Sequence, residues 1–214
     1  MGRGLKYGIP GVDWRRSMSE IAAEGWESVF APELSPPLHM VVEIGFGRGE
    51  FLLELAAAEP ETAFVGIEVS FKRALKMARK LARAKLENVR LIEGQAQIAV
   101  SELLADASVQ EFWINFPDPW PKKRHARRRL IQPELVAELA RSLASGGQLH
   151  VSTDDVPYAD QIHEALAGEP LLENLHAPRP WLPEVSCRKP TGYELEWRAE
   201  NRPLHFFDYR RRST

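Results

Sequence analysis

The chain has 214 residues, with 28 Lys and Arg against 30 Asp and Glu, and 44% of its residues are hydrophobic. That is enough for one sizeable core in a globular protein. The single cysteine, Cys187, excludes an internal disulfide or a thiolate metal cluster. Nowhere does the chain reach the ~18 apolar residues of a membrane helix, and Met1 to Ser17 lack the apolar core of a secretory signal, so the cytoplasm is the expected compartment.

Residues 1–38 mix Gly, Pro, Trp and charge, and are read as an N-terminal arm in which Ser19 to Phe30 forms a short helix. From Met40 the texture changes to alternating strand and helix. Met40–Ile44 predicts a buried strand, Gly49 to Ala58 a helix stopped at Pro60, and Ala63–Glu68 the next strand. Phe71 to Leu86 is a helix with Ala74, Leu75, Ala78, Leu81 and Ala82 on one stripe. Val89–Ile92 is a strand, Ile98 to Ala105 a helix, and Glu111–Asn115 a strand ended by Pro117, Pro119 and Pro121. Pro133 to Leu143 is a helix closed by Gly146-Gly147. Then come a strand at Gln148–Ser152, a helix from Tyr158 to Leu166, a strand near Leu171 to Leu175, a Pro-rich loop from Pro178 to Pro190, and a last strand at Leu204–Tyr209. This alternation predicts an α/β fold, with a mostly parallel sheet covered on both faces. Ligands of such sheets bind beyond the carboxyl ends of the strands.

The near-zero net charge hides segregation. Lys72, Arg73, Lys76, Arg79, Lys80, Arg83, Lys85 and Arg90 are interrupted by a single acid, Glu87. Lys122, Lys123, Arg124, Arg127, Arg128 and Arg129, with His125 among them, are interrupted by none, and the tail carries Arg210-Arg211-Arg212. Such clustering points to a polyanionic partner; a merely solvated helix face is the competing reading, more so for the first run than for the second.

Glu43-Ile-Gly45-Phe-Gly47-Arg-Gly49 sits at a strand-to-helix junction, where glycines permit positive φ and close approach of a ligand. Its G-x-G-x-G spacing differs from the dinucleotide pattern G-x-G-x-x-G. Glu43 would repel a pyrophosphate yet suits the sulfonium and ammonium of S-adenosylmethionine, and Glu68 ends the next strand where a carboxylate accepts from ribose hydroxyls. Farther on, Asn115-Phe-Pro-Asp118-Pro-Trp120-Pro121 makes a stiff loop that holds Asp118 at the carboxyl edge of the sheet. Asp118 could bind the edge of a base, Trp120 could stack on one, and Lys122 to Arg129 could bind phosphates.

Together with Ser152-Thr-Asp154 and Thr191-Gly-Tyr-Glu194, the glycine loop and the block Asn115-Phe-Pro-Asp-Pro-Trp-Pro-Lys-Lys-Arg-His125 resemble the bacterial tRNA (guanine-N7-)-methyltransferase family from about Val41 to the C-terminus. The resemblance implies a Rossmann-like class I methyltransferase fold with a mostly parallel seven-stranded sheet. Residues 39–214 would form the methyltransferase domain, with a substrate loop at 178–200. The donor implied is S-adenosylmethionine and the acceptor guanine 46 of the tRNA variable loop. Glu43, Gly45, Gly47, Glu68 and Gln95 would then contact the cofactor, and Asp118 would lie at the active centre. Lys122, Asp154, Thr191 and Glu194 would hold the substrate, and Arg124, His125, Arg127, Arg128 and Arg129 the RNA. Gln95 departs from the Asp or Asn more usual in the family, and residues 1–38 lack the expected basic arm.

Guanine N7 offers an in-plane lone pair and carries no proton, so methylation needs positioning and not a base. Asp118 is therefore assigned to orienting the guanine through N1–H and the exocyclic amine. The six histidines show no ligand spacing, so no metal is expected. The chain is read as a monomer whose partner is tRNA, with no membrane. A nicotinamide dehydrogenase is disfavoured by the glycine spacing and Glu43. The alternative is a non-catalytic tRNA-binding protein on a methyltransferase scaffold, suggested by Gln95 and the divergent N-terminus.

Overall fold

A computed structural model of the chain describes residues 7–185 and 190–213, with Lys123 by its backbone alone. Cys187 lies outside the described residues. The chain divides into two compact units, Met1–Leu103 and Leu104–Thr214.

In the first unit, β1 (Arg15–Arg16), α1 (Met18–Glu24) and α2 (Trp26–Phe30) precede β2 (Met40–Ile44), α3 (Glu50–Ala58), β3 (Ala63–Glu68), α4 (Phe71–Ala84), β4 (Val89–Glu93) and α5 (Ala96–Leu103). The strands run β1-β4-β3-β2, all parallel. Every residue of β2 and β3 is buried, as expected of strands covered on both faces. Gly66 lets α3 and the glycine loop close on β3, because a Cβ there would stand 2.7 Å from Leu52 Cδ2 and 2.8 Å from Phe46 Cδ1.

The stretch read as an arm is part of this unit. Trp14, Ile21, Val29 and Phe30 are buried, and Trp26 Nε1 donates to the Leu103 carbonyl at 2.7 Å. The single helix expected over Ser19 to Phe30 is two, because Gly25 breaks it at φ 76°, ψ 157°. Ser17 caps α1, accepting from the Glu20 amide at 3.2 Å while Glu20 accepts from the Ser17 amide at 2.7 Å.

Arg90 corrects the reading of the first basic run. It is fully buried on β4, donating to the carbonyls of Val29 (2.8 Å) and Glu87 (2.7 Å) and to Glu33 (2.9 Å). Its guanidinium lies between the rings of Trp14 and Phe30, at 4.2 and 4.7 Å. Burial pushes its pKa down to about 10, against the opposing pull of Glu33.

In the second unit, β5 (Val109–Asn115), α6 (Pro133–Ser142), β6 (Leu143–Thr153), α7 (Val156–Ala167), β7 (Leu172–Asn174), α8 (Gly192–Ala199) and β8 (His205–Arg211) follow, with a 3-10 helix at Lys123–Arg128. The strands run β5-β6-β8-β7; β5 and β6 are parallel, and β8 is antiparallel to both neighbours. Eight strands are thus present among the described residues where seven were expected. The pair Arg15–Arg16 is too short to register as a hydrophobic pattern.

β6 begins at Leu143 and not Gln148, running through the glycine pair. A register shift against β5 between Val109 and Glu111 accommodates Gly146 at φ 78°. The tail arginines are also engaged. Arg210 pairs with Glu173 at 2.7 Å, Arg211 donates to the carbonyls of Arg141 and Leu143, and Arg212 donates to the carbonyl of Leu172. Asp208 bridges His150 and His176 at 2.6 Å each, fastening the turn after β7 to β8.

Candidate functional site

In the first unit the glycine loop leaves β2 with Gly45, Gly47 and Gly49 at φ 74°, 54° and 75°. Only glycine tolerates that run of left-handed residues. At Gly49 the requirement is also steric, since a Cβ would collide with Met77 Sδ; at Gly45 a Cβ would meet nothing within 4 Å. The loop therefore packs against α4 on one side and faces open space at Gly45.

Glu43 is buried at the end of β2, and Glu68 is equally buried at the end of β3. Glu68 Oε2 accepts from the Gly47 amide at 3.1 Å and Oε1 from the Ser70 amide at 3.0 Å, so one carboxylate ties the loop to the start of α4. Arg73 stands 3.5 Å from Oε2. A carboxylate has about four lone-pair directions, which leaves acceptor capacity beyond these bonds.

Gln95 is exposed between β4 and α5, and its carbonyl accepts from the Ala99 amide at 3.0 Å. Its side chain is thus presented at the carboxyl end of the third predicted strand. Sequence reasoning missed Val69, 70% exposed directly after Glu68. An apolar residue following an acid at a strand end was the available signal.

In the second unit two neighbouring parallel strands end together: Asn115 of β5 is in register with Ser152 of β6, and the Phe116 amide donates to the Ser152 carbonyl at 2.9 Å. Asp118 lies just beyond β5 and Asp154 just beyond β6. Phe116 (φ 52°) and Trp120 (φ 45°) flank Asp118 in the left-handed region, which is strained for aromatic residues. Packing holds that strain. The Phe116 ring meets Trp197 of α8 edge-on at 4.6 Å, and Trp120 meets His125 at 5.8 Å with the Arg128 guanidinium 5.1 Å above it. Asp118 is exposed and, among the described residues, has no hydrogen-bonding or ion-pair partner.

The remaining predicted residues divide by exposure. Lys122, Arg124, Arg127 and Arg128 are exposed and His125 is half-buried; Arg124 Nε lies 3.4 Å from His125 Nε2. Arg129 departs from the expected RNA-facing run. It is 7% exposed and donates to the carbonyl of Pro119 (2.7 Å) and to Gln161 Oε1 (2.8 Å), with its guanidinium 4.9 Å from the Tyr158 ring. It holds the proline loop from behind.

Thr191 and Glu194 are buried too. Thr191 caps α8, accepting from the Glu194 amide at 3.0 Å, and Glu194 Oε1 accepts from Arg198 at 2.9 and 3.0 Å. Thr-x-x-Glu is an N-cap pattern, so α8 was readable inside the segment taken for a loop. Asp154 Oδ2 accepts from Arg202 at 3.0 Å. The missed contributors here are Phe116, Trp197 and Arg202.

A family model described as "Putative methyltransferase" matches residues 38–207. A tRNA (guanine-N(7)-)-methyltransferase of Leifsonia xyli subsp. xyli (strain CTCB07) is 40% identical over 169 residues, covering 79% of this chain and 74% of that protein. A protein of the same name from Bordetella pertussis is 40% identical over 168 residues; the match covers 72% of this chain and 65% of that protein, a little under two thirds. Among solved structures, an rRNA methylase from Streptococcus thermophilus superposes with a TM-score of 0.56 at 16% identity, covering 82% of this chain and 88% of that one. That likeness establishes the Rossmann-like methyltransferase fold. With such identity and coverage, the chain belongs to the tRNA (guanine-N(7)-)-methyltransferase family.

Proposed function

We propose that the chain transfers a methyl group from S-adenosylmethionine to N7 of a guanine in tRNA, guanine 46 of the variable loop being the expected target. The observation that carries this reading is Asp118, an exposed carboxylate on a strained, packed loop at the end of β5, in a chain 40% identical to enzymes of that name.

The first unit suits the donor. The glycine loop opens at Gly45, and two buried carboxylates stand at its borders, an arrangement hostile to a pyrophosphate and favourable to a cation. S-adenosylmethionine, when bound, supplies an electrophilic methyl on a positively charged sulfur. Glu68 would accept from its ribose hydroxyls, Glu43 would attract its ammonium group, Gln95 would bond the adenine edge, and Val69 would cover the ring face.

The second unit suits the acceptor. Asp118 accepts from guanine N1–H and the exocyclic amine, which fixes the base in its plane and turns N7 outward. Its negative charge offsets the positive charge that the ring acquires as the N7–carbon bond forms. No proton leaves the base, so Asp118 orients and removes nothing. Lys122, Arg124, Arg127 and Arg128, with His125, meet phosphates, as their exposure permits. Asp154 bonds substrate from the next strand end. Thr191 and Glu194 act through α8, which braces Phe116, and Arg129 through the proline loop.

Methyl transfer from labelled S-adenosylmethionine to unmodified tRNA, with a guanine-to-adenine change at position 46 as control, tests the reading. Label lost with that change supports both chemistry and target, and binding without label favours the non-catalytic alternative. Asp118→Ala is expected to reduce turnover at least about 100-fold with cofactor affinity unchanged, as for a charge placed against the transition state. Equal loss of cofactor affinity would remove Asp118 from the acceptor site.

A further inference from the structure

Helix α4 carries a local penalty that its own stability does not explain. Six of its side chains, Lys72, Arg73, Lys76, Arg79, Lys80 and Arg83, are basic, and none is acidic. Lys72–Lys76, Arg73–Lys76, Lys76–Arg79, Lys76–Lys80, Arg79–Arg83 and Lys80–Arg83 are neighbours at i,i+3 or i,i+4, and like charges at that spacing destabilise a helix. Lys72 and Arg73 also lie in the first turn, where the helix dipole disfavours positive charge.

The cations differ in what they touch. Arg73 approaches Glu68, Lys80 pairs with Glu50 at 2.9 Å, and Arg79 donates to the Gly8 carbonyl at 2.5 Å. Among the described residues Lys72, Lys76, Arg83 and the αL-capping Lys85 have no ion-pair partner, and all four are exposed. Lys72, Lys76 and Arg83 follow one stripe, at spacings of four and seven residues. At the N-terminal end of that stripe two aromatic rings are exposed, Tyr7 at 68% and Phe71 at 41%, with centroids 6.3 Å apart. Arg15 lies 5.8 Å from the Phe71 ring.

We infer that this face of α4, with the Tyr7–Phe71 pair, is a second RNA-contacting surface: the stripe follows a phosphate backbone, and the aromatic pair stacks an unpaired base. A cation track ending in exposed rings is the arrangement that binds single-stranded nucleic acid without sequence preference. An acidic protein segment would use the charges and leave the rings unexplained. The inference deepens the proposed function and depends on its RNA substrate. It gives the unit that carries the glycine loop an RNA-contacting surface of its own.

The test uses the full chain and an unmodified tRNA transcript, with affinity measured across a salt series. Lys76→Glu replaces the hub of the repulsive pairs with an acid among Lys72, Arg73, Arg79 and Lys80. It is therefore expected to hold or raise the melting temperature while weakening tRNA binding about tenfold near 0.1 M salt and making the salt slope shallower. Arg212→Glu, the same charge change at an exposed arginine of the C-terminal tail, is expected to have little effect. Tyr7→Ala is expected to weaken binding of a short single-stranded oligoribonucleotide at least about fivefold. The KM for tRNA should rise in Lys76→Glu with kcat and S-adenosylmethionine affinity unchanged. A raised melting temperature with unaltered tRNA affinity, or equal losses in Lys76→Glu and Arg212→Glu, would overturn the inference. Absence of methyl transfer by the wild-type chain would instead count against the proposed function.

Discussion

The two basic runs look alike in the sequence and are built differently. The first rides on a regular helix whose apolar stripe of Ala74, Leu75, Ala78 and Leu81 is buried, so its cations emerge on the opposite face at helical spacing. The second winds through a 3-10 helix behind a strained proline loop, where Arg128 covers Trp120 and Arg129 grips the loop carbonyl of Pro119. Yet each run ends in a buried arginine, Arg90 in one and Arg129 in the other. Charge counted along a chain therefore overstates the charge available to a partner. An arginine whose stem points into the core becomes a hub for carbonyls and rings, because its planar fork can satisfy several acceptors at once.

Three variants sharpen that contrast between buried ends and exposed bodies. The largest effect is expected from Arg90→Ala, which strands Glu33 and the Val29 and Glu87 carbonyls and empties the space between Trp14 and Phe30. Urea unfolding should show a loss of about 3 to 5 kcal/mol, with exposed-run variants far milder. Next is Arg129→Ala, expected to cost about 2 to 3 kcal/mol by removing its charge-assisted bonds and to depress turnover by loosening the loop that carries Asp118. A folded, fully active Arg129→Ala protein would return Arg129 to the surface role that its sequence neighbours suggest. The smallest is the pair Arg127→Ala with Arg128→Ala. Stability should change by less than about 1 kcal/mol, while tRNA affinity falls about tenfold or more and its salt dependence flattens by about one unit for each phosphate left without its cation. Salt-independent weakening of binding in that double variant would point to collapse of Trp120 and not to phosphates left unneutralised.

Most elements of the sheet were legible because their patterns are local. Met40–Ile44 and Ala63–Glu68 are continuous apolar runs of strand length, and the structure places β2 and β3 on those residues. The elements that escaped lack such a pattern. β1 is two arginines, held by register with Leu91 and Ile92 and by the buried Trp14 beside them. α8 carries its cap signal in Thr191 and Glu194 but little apolar periodicity. The expected end of α6 at Gly146-Gly147 lies inside β6, because pairing with β5 outweighs the local preference of glycine for turns.

The candidate site separates along the same line. Residue type and spacing alone identified the glycine loop, the acids ending β2 and β3, and the rigid loop around Asp118, since each depends on backbone chemistry within a few residues. Only the tertiary structure decided which side chains remain free to meet a ligand. It turned Arg129, Thr191 and Glu194 into supports and left Asp118, Lys122, Arg124, Arg127 and Arg128 exposed. In the unit that carries the glycine loop it also left Val69, Tyr7 and Phe71 exposed. The physical reason is that chemistry belongs to a residue, whereas burial belongs to whatever packs against it from distant parts of the chain.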